Sequence, residues 1–182
     1  MFVDGGRAQI WRTNTTRKGT KHMRNNDGQK LAGRKVSQDY VVKKHSISSE
    51  LAQKMVDEAV AKARQLGVAE NVAILDDGGN LKAFSRMDGA PLLSIEIAQN
   101  KAYTALFGVS TQDFFNFIQG DPSLLAGIPT LARVAAWGGG FPIKVDEEVV
   151  GAIGVSGAPT VKNDVDCAKA ALALVPDAVA AD

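Results

Sequence analysis

Leu51, Met55, Val56, Ala59, Val60, Ala63 and Leu66 recur at the spacing of a helix, and Gln53, Asp57, Glu58 and Lys62 take the other side. The serines of Ser46-Ile47-Ser48-Ser49 supply an N-terminal cap, Glu50 suits the positive end of the helix dipole, and Gly67 supplies the stop. The spacing predicts an amphipathic helix of about 17 residues lying on a sheet. The pattern then changes period. Residues 72–75 form a continuous apolar run, as a strand covered on both faces requires. Asp76-Asp77-Gly78-Gly79-Asn80 carries the Asp-Gly and Gly-Asn pairs of a tight hairpin. In the strand that follows, Leu81, Ala83 and Ser85 point one way and Lys82, Phe84 and Arg86 the other.

After the polar loop Arg86-Met87-Asp88-Gly89-Ala90, Pro91 opens a helix whose narrow stripe is Ile95, Ala98, Ala102 and Ala105. Such small residues allow close approach to the sheet. Glu96, Asn100 and Tyr103 share a second face of that helix, and Lys101 and Thr104 a third. Residues 109–136 are less regular, with a short helix over 111–118 and a turn at Gly120-Asp121-Pro122. A second hairpin follows Trp137-Gly138-Gly139-Gly140, turning at Asp146-Glu147-Glu148, and Asn163 or Asp164 caps a last helix.

Charge divides the chain. Residues 1–45 carry +8 and residues 46–182 carry −7, which the net charge of +1 conceals. Phe2, Val3, Ile10 and Trp11 are too scattered to pack a face, so residues 1–44 read as a disordered or subunit-docked basic extension, and 45–182 as the folded domain. A leader, with Met23 as the natural start, is the plain alternative. No aromatic interleaving or binding module accompanies the basic residues, which argues against nucleic acid as a partner. No apolar run approaches the roughly 20 residues of a membrane span, no secretory signal is evident, and the single Cys167 excludes an intrachain disulfide. A cytoplasmic location is expected.

Candidate chemistry is sparse. His22 and His45 are the only histidines, both in or beside the basic segment, so neither a catalytic triad nor a two-histidine metal site forms within the domain unless His45 folds back. The acidic turn lacks the spaced ligands and closing Glu of a calcium loop. The remaining groups are Arg86, Asp88, Glu96, Lys101 and one of Asp164 or Asp166, able to bind an anion or move a proton. For Lys101 and Thr104 a solvated helix side stands against a position facing the same space as Arg86 and Asp88. Gly138, Gly139 and Gly140 serve either as a sharp turn or as an approach for a ligand. Phe107, Phe114, Phe115 and Phe117 read as core or subunit interface before they read as a ligand box.

Five segments in order carry a resemblance: Asp76-Asp77-Gly78-Gly79; Arg86-Met87-Asp88-Gly89-Ala90; Ser94-Ile95-Glu96-Ile97-Ala98 with Lys101-Ala102 and Thr104-Ala105; Gly139-Gly140-Phe141-Pro142-Ile143; and Gly151-Ala152-Ile153-Gly154-Val155-Ser156-Gly157. Over residues 46–175 the chain resembles the GlcG/HbpS-like family, which includes the C-terminal domain of PduO-type proteins. The resemblance implies a profilin-like α/β (α+β) fold, a five-stranded antiparallel sheet with helices packed on it, and assembly into dimers, tetramers or octamers. Haem is a cofactor that the resemblance implies for several members, and His45, adjoining the domain, is either its axial-ligand candidate or a solvated histidine before a helix. Two functions are carried forward. One is a small-ligand-binding oligomer that takes haem or another flat anion, with Arg86, Asp88, Lys101, Thr104, Gly138, Gly139 and Gly140 as ligand-binding residues. The other is an enzyme for a small carboxylated or cyclic metabolite in catabolism, with Arg86 as anion clamp and Asp88 or Glu96 as proton carrier.

Overall fold

The structure, a computed structural model, describes residues 40–175. The chain divides into units 1–42 and 43–182, and the elements below belong to the second. The expectations for residues 1–39, including the leader, lie outside the described residues.

Helix α1 (Ser49–Leu66) begins where Ser48 accepts a hydrogen bond from the Leu51 N–H and ends at Gly67, whose φ of +68° is left-handed. Ala52, Met55, Val56, Ala59, Val60 and Ala63 are its buried residues, while Leu66, expected on that stripe, stays exposed on the last turn. Strand β1 (Asn71–Asp76) is buried along nearly its whole length, as its unbroken apolar run requires. The Asp76 carboxylate accepts the N–H groups of Gly78 and Asn80 and so builds the turn into β2 (Leu81–Arg86).

Helix α2 (Ser94–Ala105) starts three residues after Pro91. Ala98, Ala102 and Ala105 are fully buried, and a Cβ on Gly154 would run into the Ala98 carbonyl. Small residues on both sides therefore let this helix lie almost on the backbone of the sheet. Helices α3 (Thr111–Gln119) and α4 (Pro122–Gly127) follow, capped by Ser110 and Asp121. Strands β3 (Gly140–Val145) and β4 (Glu148–Ser156) form the second hairpin, and α5 (Val161–Leu172) closes the fold. Its cap is Thr160, one turn earlier than the expected Asn163 or Asp164, and this places Asp164 inside the helix and buries it.

The strand order is β2-β1-β4-β3, every pair antiparallel. Val72, Ile74, Ile153 and Val155 face α1 and α5 across the main core, and Leu75 and Ala152 face α2 on the other side. Among the described residues the sheet has four strands, which corrects the five implied by the resemblance. The nearest stretch to a fifth leads into α1, where the Ile47 N–H donates to the Val150 carbonyl at 2.9 Å. The His45 N–H turns instead to the Glu148 side chain, so no ladder develops.

Candidate functional site

Lys101 is not on a solvated helix side. Its side chain is fully buried, and its Nζ donates to Asp164 Oδ2 at 2.6 Å and to the Val155 carbonyl at 2.9 Å. The correction has a physical cause. Lys101 lies between the buried Ala98 and Ala102 turns of α2, and the edge of that face ends where glycine leaves room for an ammonium group. A Cβ on Gly139, at φ +111°, would stand 2.9 Å from Lys101 Nζ. A Cβ on Gly140 would meet the Lys101 backbone and Thr111, and one on Gly138 would meet Val161 and Val165.

Glu70 joins this cluster and is fully buried. The Ala158 N–H lies 3.0 Å from Glu70 Oε2 and 3.3 Å from Asp164 Oδ1, so one donor is shared by two carboxyl groups. Burial first, and then the neighbouring Asp164, push the Glu70 carboxyl up to about 8. At neutral pH Glu70 is therefore a neutral acid, and Lys101 and Asp164 balance each other. Burial pulls the Lys101 ammonium below its ordinary value, against the opposing pull of Asp164 and Glu70. Among the described residues, Glu70 Oε1 and Asn71 Oδ1 are buried without a hydrogen-bond partner. Cys167, on α5, is buried, and its thiol is raised to about 12 by burial and by the nearby carboxylates, which leaves it no thiolate character.

Arg86 and Asp88 do come together, but away from Lys101. They line a cavity of about 280 Å³ with Val60, Arg64, Ser85 and Met87, on the α1 side of β2. Met87 stands between this cavity and Glu70: its Sδ takes the Glu70 N–H at 3.4 Å, and its own N–H donates to the Glu70 carbonyl. Glu96 is exposed in the first turn of α2 and does not line the cavity. Thr104 belongs to a third place. Its Oγ1 donates to the Asn100 carbonyl and accepts the Ala135 N–H, and it lines an aromatic cavity of about 360 Å³ with Tyr103, Phe107 and Phe114. Phe107 and Phe114 meet edge to face at 5.4 Å, and the Arg133 guanidinium lies 3.9 Å over the Tyr103 ring.

His45 opens a fourth. Its Nδ1 lies 2.7 Å from Glu148 Oε2, and the pair stands on a cavity of about 370 Å³ walled by Ile47, Leu51, Val145 and Val150. The hydrogen bond and charge of Glu148 raise the His45 imidazolium above its ordinary 6.5. Lys44 reaches Asp77, on the rim of the aromatic cavity, at 3.9 Å. His45 and Arg86 thus lie at opposite ends of β1, about 17 Å apart along the strand by its rise per residue. Among the described residues no group of three or more His, Cys, Asp or Glu side chains is placed to hold a metal ion, and no helix is long and apolar enough to cross a membrane.

Sequence and fold comparisons agree with this architecture. Residues 47–173 match the family model described as haem degrading protein HbpS-like. The chain belongs to the HbpS-like family. One relative, an uncharacterised 15.0 kDa protein from the dhaT-dhaS intergenic region of Citrobacter freundii, is 36% identical over 129 residues, which are 70% of this chain and 90% of the relative. The crystal structure of Klebsiella pneumoniae protein ORFY superposes with a TM-score of 0.69 at 34% identity, covering 74% of this chain and 93% of that one. That of the PduOC:heme complex does so at 0.65 and 29% identity, covering 71% and 95%.

Against this HbpS-like fold, sequence reasoning overlooked Glu70, Asn71, Arg64 and Glu148. Glu70 had a legible signal, since a carboxylate immediately before a buried strand must either leave the core or find a partner in it. Arg64 had none. It sits on the polar side of α1, and only the return of β2 brings Arg86 to the same cavity.

Proposed function

We propose that the protein binds haem at the cavity beside His45, with the His45 imidazole as axial ligand. The observation that carries this reading is the His45–Glu148 pair on the edge of a hollow whose apolar wall is Ile47, Leu51, Val145 and Val150, with Ser46, Ser48 and Asp146 also on its lining. With Nδ1–H donating to the carboxylate, Nε2 keeps a free lone pair, and the carboxylate both fixes the ring and makes that nitrogen a better base. The walls offered by Ile47, Leu51, Val145 and Val150 suit an apolar macrocycle. The residues therefore fit the group. Haem held there would supply iron-centred redox or small-ligand chemistry. The chain supplies the nitrogen, its orientation and an apolar wall. The PduOC:heme complex among the similar folds supports the same ligand class. The aromatic cavity is comparable in size but carries no imidazole.

Haemin added to the purified protein should give a saturable Soret shift. His45→Ala should weaken it by more than about tenfold and Glu148→Gln by roughly tenfold, the usual cost of losing a partner that orients a metal ligand. Binding should fall on acidification, beginning above pH 6.5, because Glu148 makes His45 easier to protonate and a protonated ring cannot ligate. Absence of a saturable shift would discard the reading. Assembly of several copies belongs to the same proposal, supported by Leu92, Leu93, Phe107 and Phe117, which are exposed at 73%, 71%, 68% and 62%. Light scattering behind gel filtration should return a multiple of 19.2 kDa, and a monomer at micromolar concentration contradicts it. Catalysis by Asp88 or Glu96 has less support, since both carboxylates are exposed and only Asp88 adjoins Arg86.

A further inference from the structure

We infer that the cavity between α1 and β2 is a binding site for a small oxyanion, a carboxylate or phosphate, clamped by Arg64 and Arg86. Two guanidinium groups and a single carboxylate, Asp88, line one hollow of about 280 Å³, leaving it with an excess positive charge. Among the described residues neither arginine side chain has a hydrogen-bond or ion-pair partner, although Asp88 stands two residues from Arg86. Like charges gathered in one concavity repel each other, and a bound anion removes that repulsion. Arginine is also the side chain whose planar fork matches a carboxylate or phosphate with two parallel hydrogen bonds. The Ser85 hydroxyl adds a donor, and Val60 and Met87 supply an apolar wall.

The frame holding these groups is fixed. Arg86 is the last residue of β2 and pairs with Asn71 of β1. The loop beyond it is tied by the two Met87 bonds to Glu70 and by the Ala90 N–H to the Met87 carbonyl. Arg64 rides on the last turn of α1, closed by Gly67. A site whose backbone is already ordered loses little entropy when a ligand arrives. It lies at the other end of β1 from His45, so it is independent of the haem reading.

Isothermal titration of the full chain with inorganic phosphate and, separately, with malonate tests this. At low ionic strength at least one probe should bind saturably, and which one does separates a phosphate site from a carboxylate site. Arg64→Gln and Arg86→Gln should each weaken that binding at least tenfold, while Asp88→Asn should tighten it severalfold by removing the opposing charge. All three should melt like the unaltered protein, because the side chains are exposed and unpaired. No saturable binding of either probe, or binding that survives both arginine changes, overturns the inference.

Discussion

Two charged regions lie at the same end of the sheet and differ in what their charges face. In the first, Lys101, Asp164 and Glu70 are buried and turned on one another, with a backbone carbonyl and a backbone N–H adding to their bonds and only Glu70 Oε1 of the three side chains left without a partner. In the second, Arg64 and Arg86 open onto a polar hollow and meet no counter-charge at hydrogen-bond distance among the described residues. A buried charge is tolerated only when the protein satisfies it, so the first region is committed to the fold. The second leaves its donors for something else. Lys101, within a helix, and Arg86, at the start of a loop, look alike in the sequence as basic residues; burial separates their roles.

Removing the Lys101 ammonium should cost most. Lys101→Met leaves Asp164 buried without its cation and is expected to lower stability by about 3–5 kcal/mol, read by urea denaturation. Lys101→Met combined with Asp164→Leu should recover much of that loss, since an apolar pair needs no counter-charge. A loss below about 1 kcal/mol, the scale of an exposed pair, would erase the contrast.

The next effect is a pH dependence. The Glu70 carboxyl titrates near 8 in the folded chain against the ordinary glutamate value of 4.5, so its protonated form is favoured by folding. That stabilisation is complete below the unfolded value and is lost progressively as pH rises from there through 8. Between about pH 4.5 and 8 the unfolded chain gives up the Glu70 proton while the folded chain keeps it, so the protein should lose up to about 1.4 kcal/mol for each pH unit relative to Glu70→Gln, which keeps a neutral group in place, and the loss should level off above pH 8. A stability difference between the two proteins that stays constant from pH 5 to 8 would contradict the assignment.

How much of this was legible varies with the range of the interaction. The first helix, the hairpin about Asp76 and the close approach of α2 follow from local spacing, capping and small residues. The Ser48 cap and the Gly67 stop sit where the sequence puts them. What was not legible depends on residues distant along the chain: Lys101 meets Asp164 across 63 positions, and Ala158 meets Glu70 across 88. One-dimensional periodicity gave Lys101 a face but not a partner. It also grouped Arg86, Asp88, Lys101 and Thr104 around one space, which the fold divides among a polar cavity, a buried ion cluster and an aromatic cavity.

The smallest effect concerns the β3–β4 turn. Asp146 and Glu147 adopt φ of +49° and +64°, the left-handed pair of a two-residue hairpin, without a glycine. Glu147→Gly should stabilise the chain by about 1 kcal/mol by removing that strain. An unchanged denaturation midpoint would mean that the turn carries none.

The measurement that bears most directly on the functional account is a haemin titration of the unaltered protein, His45→Ala and Arg86→Gln side by side at pH 8, followed through the Soret band. The account predicts that His45→Ala alone loses affinity, by more than about tenfold, while Arg86→Gln follows the unaltered curve. Equal binding by His45→Ala and the unaltered protein would contradict it.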